Sequence, residues 1–174
     1  MKQFIFLLFA ASMLMAGDFT LQSTDIDVQL TKVQEFNGSG CTGQNVSPQL
    51  FWSNAPKETK SFAVTMRDMD SPIGIIWWHW LAINIPANVT EIATDASGKA
   101  MPKGALELKN NYGTIGFGGA CPPKGDKAHR YVFTVVALDI DVLPVTERRN
   151  DAFLGEQIKR HTIAKASITS YYQR

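Results

Sequence analysis

The run "IIWWHWLAINIP", Ile75 to Pro86, sets the tightest limit on what this chain can become. It is twelve residues long and bounded by Gly74 and Pro86. A bilayer-crossing helix needs about 20 apolar residues, so the run is too short to span a membrane. Three tryptophans and several β-branched residues fit a buried strand instead. Other runs repeat the pattern. "SFAVTMRDMD" alternates in its first half and stops before Pro72, as a buried strand emptying into an acidic loop does. "HRYVFTVVALDIDVL", the short "FWSNAP" and the closing "IAKASITSYYQR" also read as strands, and "DFTLQSTDIDVQLTK" as one or two more. Helical spacing is clear only in "NDAFLGEQIKRH", where Asn150 can cap and Phe153, Leu154, Gln157, Ile158 and His161 share one side. The expectation is a mainly β protein with one or two short helices, built as a sandwich or barrel.

Between the strands lie two long connections. "EFNGSGCTGQNVSPQL", Glu35 to Leu50, is a loop by its glycines and turn formers. The stretch from Ala87 to Gly116 is mostly irregular, and irregular stretches of such length in a small domain are often functional. A third, "GFGGACPPKGDKAHRY", Gly116 to Tyr131, concentrates four glycines, a Pro-Pro pair, a cysteine and a histidine between two strand-like runs.

At 174 residues with no polar linker, one domain is expected over residues 17–174. The first sixteen residues, "MKQFIFLLFAASMLMA", place one lysine before an apolar run ending in small residues, the pattern of a secretory signal peptide cleaved after Ala16 or Gly17. An uncleaved anchor is the competing reading. Cleavage implies a periplasmic or secreted protein with no stable membrane insertion. Lys and Arg total 17 against 16 Asp and Glu, and no basic stripe of the kind that nucleic-acid surfaces carry is visible. The one basic cluster, Arg148 and Arg149, reads as part of a solvated helix face.

An exported chain with two cysteines, Cys41 and Cys121, reads most simply as holding one disulfide. The alternative makes Cys121 a nucleophile with His129 as its base, although a free thiol is hard to keep outside the cytoplasm. Asp68, Asp70, His79 and His129 stand near strand ends, which in a β domain can converge on one mouth. Each also has a plain reading. The aspartates can serve the turn before Pro72, His79 can be a satisfied core histidine, His129 can bond the loop, and the tryptophans can be core. Together they suggest a polar pocket floored by aromatics. Dinucleotide and Walker motifs fail, and no serine occupies a nucleophile elbow. A metal site built from the two aspartates and two histidines stays open on geometry alone.

"VTMRDMDSP", "WWHWLAINIP" and "GFGGACPPKGDKAHRYVFTVVAL" closely resemble the phosphatidylethanolamine-binding proteins, also called Raf kinase inhibitor-like proteins, in their bacterial branch. "NVSPQLFW" and "HTIAKASITSYYQR" extend the likeness over most of the chain after residue 16. The resemblance implies a β-sandwich of antiparallel sheets with a small anion pocket at one end and no cofactor or metal. It places Asp68 and Asp70, with Pro72, on the family's acidic loop, His79 on its pocket histidine, Gly119, Cys121 and Pro122 on its glycine-rich loop, and His129 and Tyr131 at that loop's close. It further implies ligands that are phosphate-like, phospholipid head groups included. On this reading backbone N–H groups from Gly118 to Cys121 form an anion nest, Asp70 orients the histidines, and Cys121 ties the loop to the Gly38–Gly43 turn through Cys41. The family's animal members close the pocket with a C-terminal helix that has no counterpart after "SYYQR", so a more open pocket is expected. The function implied is a non-enzymatic binding protein. An inhibitor or modulator of a protein partner is the alternative, an Asp/His hydrolase comes third, and a homodimer is left open.

Overall fold

The computed structural model describes residues 17–74, 76–145 and 151–174. The expected signal peptide, the Asn150 cap and the Arg148–Arg149 cluster lie outside the described residues. The strands in chain order are β1 (Thr20–Gln22), β2 (Asn37–Gly38), β3 (Cys41–Thr42), β4 (Leu50–Ser53), β5 (Ser61–Asp68), β6 (Trp77–Pro86), β7 (Glu91–Ile92), β8 (Leu106–Glu107) and β9 (His129–Leu138). The helix α1 (Asp151–His161) follows, and β10 (Thr162–Tyr172) begins directly after it.

Five strands form an antiparallel sheet in the order β10-β9-β5-β6-β8, and three more pair as β1-β4-β7. Strand alternation decides how these layers meet. Phe62, Val64 and Met66 of β5, with Tyr131, Phe133 and Val135 of β9, turn to one side and pack against Leu21, Leu50, Trp52 and Ile92 of the smaller sheet. That is the sandwich core, and Trp52 meets Phe62 edge-on at 5.2 Å between rings. Ala63, Leu81, Ile83, Val136 and Leu138 turn to the opposite face, where Leu143 and Leu154 cover them. The five-stranded sheet therefore has two working faces.

Three details of local structure differ from the sequence reading. The loop from Glu35 to Leu50 contains a two-stranded hairpin, β2-β3, and the connection after Pro86 contributes the short strands β7 and β8. Ladders this short carry no readable apolar period. On α1, Leu154 and Gln157 are buried whereas Phe153 is 42% exposed, so the buried stripe is narrower than expected.

Candidate functional site

The site forms where β5, β6 and β9 end together. Asp68 closes β5, and its register partners are Trp77 of β6 and Tyr131 of β9, which brings the acidic and histidine segments side by side. One irregularity positions His79. Met66 pairs with Trp80 and Arg67 with Trp78, which leaves His79 with no residue opposite it. The extra residue makes a β-bulge, a device that re-aims a side chain. His79 thereby faces the same side as Trp80, at the wall of a cavity of about 230 Å³.

Around that cavity stand Asp68, Trp77, Tyr112, Cys121, Pro122 and His129, with Ser39, Ser71 and Pro72 at its margin. Aromatic rings brace the histidines. Tyr112 and Tyr131 meet His79 edge-on at 5.5 Å and 5.2 Å, and Tyr131 lies roughly parallel to His129 at 6.4 Å.

The surroundings of these two histidines shift them in opposite directions. His79 is 1% exposed, and its Nδ1 lies 2.7 Å from the carbonyl of Gly118 and 3.1 Å from that of Gly119. Carbonyls only accept, so Nδ1 carries the proton. Burial pushes the His79 pKa down to about 4, against the upward pull of those carbonyls and of Asp68. The ring is neutral at pH 7, and its Nε2 is a buried lone pair without a hydrogen-bond partner. His129 instead sits between two carboxylates, Nδ1 at 2.7 Å from Asp68 and Nε2 at 3.2 Å from Asp126. Burial works against its charge, but those two hydrogen bonds outweigh it and raise the pKa. A second orphan accompanies the first. The Tyr131 hydroxyl is buried, lies near the Asp68 carboxylate and the Cys121 backbone N–H without meeting hydrogen-bond geometry with either, and has its pKa raised, foremost by burial.

Several expected roles change. Asp70 does not orient a histidine. Its carboxylate accepts the Arg130 backbone N–H at 2.9 Å and Nε at 2.8 Å, with Nη2 3.0 Å away, and these bonds hold its pKa well below the usual range. The orienting carboxylate is Asp68, because the strand ends there and Asp70 falls in the following turn.

The expected N–H nest is also absent. Gly118 N–H donates to the His79 carbonyl at 2.8 Å, Gly119 N–H to Asn45 Oδ1 at 2.7 Å, and Ala120 N–H to the Gln34 carbonyl at 3.1 Å. These glycines serve close packing. A Cβ on Gly119 would stand 2.1 Å from the Gln34 oxygen, and one on Gly118 would stand 2.6 Å from the Tyr112 ring. What the segment offers the histidine is its carbonyls.

Cys121 is bonded to Cys41, so it is a wall of the cavity and not a nucleophile. The nucleophile alternative ends there. Among the described residues no group of three or more His, Cys, Asp or Glu side chains is placed to hold a metal. Nor is any described helix long and apolar enough to cross a membrane. Arg174 ties the rim together. Its Nε and Nη1 donate to the carbonyls of Pro122 and Gly40, each at 2.6 Å, and its own carbonyl accepts the Gly125 N–H at 2.9 Å.

Tyr112, Asp126 and Arg174 were not singled out in the sequence. Tyr112 stacks on Phe36 at 3.8 Å and donates to the Gly119 carbonyl at 3.0 Å. Its only sequence signal is its place in a long irregular connection.

Comparison with known proteins matches this geometry to a family. Residues 22–173 match the family described as phosphatidylethanolamine-binding protein. The chain is 47% identical to the UPF0098 protein YbcL of Escherichia coli K12 over 163 residues, covering 91% of this chain and 89% of that one. It is 45% identical to YbhB of the same organism over 140 residues, covering 79% and 87%. The crystal structure of E. coli YbcL, described as a new member of the mammalian PEBP family, superposes with a TM-score of 0.87 at 45% identity, covering 91% of this chain and 99% of the other.

Proposed function

The chain belongs to the phosphatidylethanolamine-binding protein family, and on that premise we propose that it is an exported binding protein for a small phosphorylated or head-group-like ligand. The observation that carries the reading is His79 Nε2, a buried polar atom without a partner in the wall of the small cavity, with the likewise unpartnered hydroxyl of Tyr131 behind it on a ring 5.2 Å from that of His79. Unpartnered polar atoms in a buried wall cost roughly 1–3 kcal/mol each, and a ligand that satisfies them recovers that cost.

The chemistry narrows the ligand. Tyr131 stays protonated and can donate its O–H, whereas the free Nε2 of neutral His79 can only accept. A phosphate monoester meets both needs when it carries one proton, or when it drives a proton onto His79 as it binds. The carboxylates of Asp68 and Asp126, already paired with His129, give the mouth a region that suits an ammonium such as that of ethanolamine. Binding in this reading consumes nothing, and no residue is asked to form a bond with the ligand.

Titration calorimetry with phosphoethanolamine and with inorganic phosphate tests it. Saturable binding is expected, stronger at pH 6 than at pH 8 by up to about tenfold per pH unit for one linked proton, and lost in His79→Gln. Silence with both ligands across that range would sink the proposal.

A further inference from the structure

The opposite face of β5 and β6 holds a second cavity, larger than the first, at about 650 Å³. It lies between the sheet and the C-terminal part of α1. Arg67 and Trp78, register partners on adjacent strands, form its inner wall, with the Arg67 guanidinium carbon 5.4 Å from the Trp78 ring centre. Ile76, Val136, Ile158, Ile163 and Ala164 supply further apolar lining, and Lys159 and Lys165 also line the groove. Three cations line the groove, and no carboxylate does so among the described residues. None of the three makes an ion pair with a described residue. Arg67 Nε is buried and has no hydrogen-bond partner.

A buried guanidinium donor left unpaired is costly, and a planar fork of donors matches a carboxylate in two contacts. Apolar side chains around an unpaired cation suit a ligand with a hydrocarbon chain and a single negative head. Lysines at the rim can lay their stems on such a chain while adding positive field. The volume falls in the range of ligand cavities, roughly 300–1,000 Å³. We infer that this groove binds a long-chain carboxylate, its head on Arg67 and its chain along Trp78, Val136 and Ile163. The inference concerns the other face of the sheet and does not depend on the ligand of the His79 cavity.

Dodecanoate, kept below its micelle concentration, is the probe, followed by tryptophan fluorescence and calorimetry. Saturable one-site binding is expected, at least about tenfold weaker in Arg67→Gln, a difference of about 1.4 kcal/mol, and weaker to a smaller degree in Lys165→Gln. Dodecyltrimethylammonium, with the same chain and opposite charge, should not saturate. Near-ultraviolet circular dichroism checks that each variant is folded, and Lys165→Gln, an exposed change, keeps the test decisive should Arg67→Gln unfold. Equal binding of dodecanoate by wild type and a folded Arg67→Gln would overturn the inference, as would equal binding of the cationic chain. So would a failure to bind dodecanoate together with a dimer in sedimentation that Lys165→Glu disperses, since a second copy would then hold the face.

Discussion

Arg67 and Asp68 are neighbours in sequence, as are Trp77 and Trp78, yet each pair divides between two cavities on opposite faces of one sheet. The His79 cavity is small, lined by the Asp68 carboxylate and two histidines, and walled by loops distant in sequence. The Arg67 groove is larger, lined by cations and apolar groups, and made almost wholly by strands and the helix beside them. The difference shows how alternation turns adjacent residues into opposite chemistry. It also shows that the two faces depend on different parts of the fold. The first needs long-range ties to hold its walls, and the second needs only strand register.

The largest expected effect tests that dependence. The Cys41–Cys121 bond spans 80 residues and anchors the wall of the small cavity. Its removal in a Cys41→Ser, Cys121→Ser variant should lower unfolding free energy by about 4 kcal/mol on the chain-entropy account, read by chemical denaturation. Below the transition, phosphoethanolamine binding should weaken while dodecanoate binding persists. Equal loss on both faces would show that the faces are not independent.

Acid should act next, and also on one face. His79 has a folded pKa of about 4 against an ordinary 6.5, so the unfolded chain binds the proton more readily between those values. Its contribution is present above pH 6.5 and is lost as pH falls toward 4, by on the order of 3 kcal/mol. His129 has the opposite sign. Its raised pKa gives stability that is complete below its unfolded value and fades as pH rises through the folded one. Thermal melts from pH 4 to pH 8 should therefore show a maximum, and His79→Gln should flatten the acid side. An unchanged acid slope in that variant would remove His79 as the cause.

The smallest effect sharpens the assignment of the carboxylates. In Asp68→Asn the His129 imidazole, followed by NMR, should titrate at lower pH than in wild type, whereas Asp70→Asn should leave it nearly in place because Asp70 serves Arg130. A larger displacement from Asp70→Asn would reverse the assignment.

Much of the frame was legible before any coordinates. The cores of β5, β6, β9 and β10 coincide with β-branched runs stopped by Gly, Pro or charge, and α1 follows the one helical period. The disulfide was readable from two cysteines and an export pattern. The aspartates were not separable in that way, since "DMD" places them two apart, where an extended strand would put both on one face. The strand ends at Asp68, and the turn carries Asp70 away to Arg130. His79 was ambiguous for a similar reason, because the bulge that turns it is a property of pairing with β5.

The sequence by itself determined the alternation of strands, their stops, the family pattern and which chemical groups were available. Those properties reside in local sterics and apolar periodicity, which neighbouring residues impose on one another. Tertiary structure decided which of those groups are free. The backbone donors of Gly118 and Gly119 look available in a glycine-rich loop, but they are engaged by His79 and Asn45. Meanwhile His79 Nε2, Tyr131 Oη and Arg67 Nε are left without partners. Whether a polar atom is satisfied depends on what the whole fold brings within about 3 Å of it, and no local pattern carries that information.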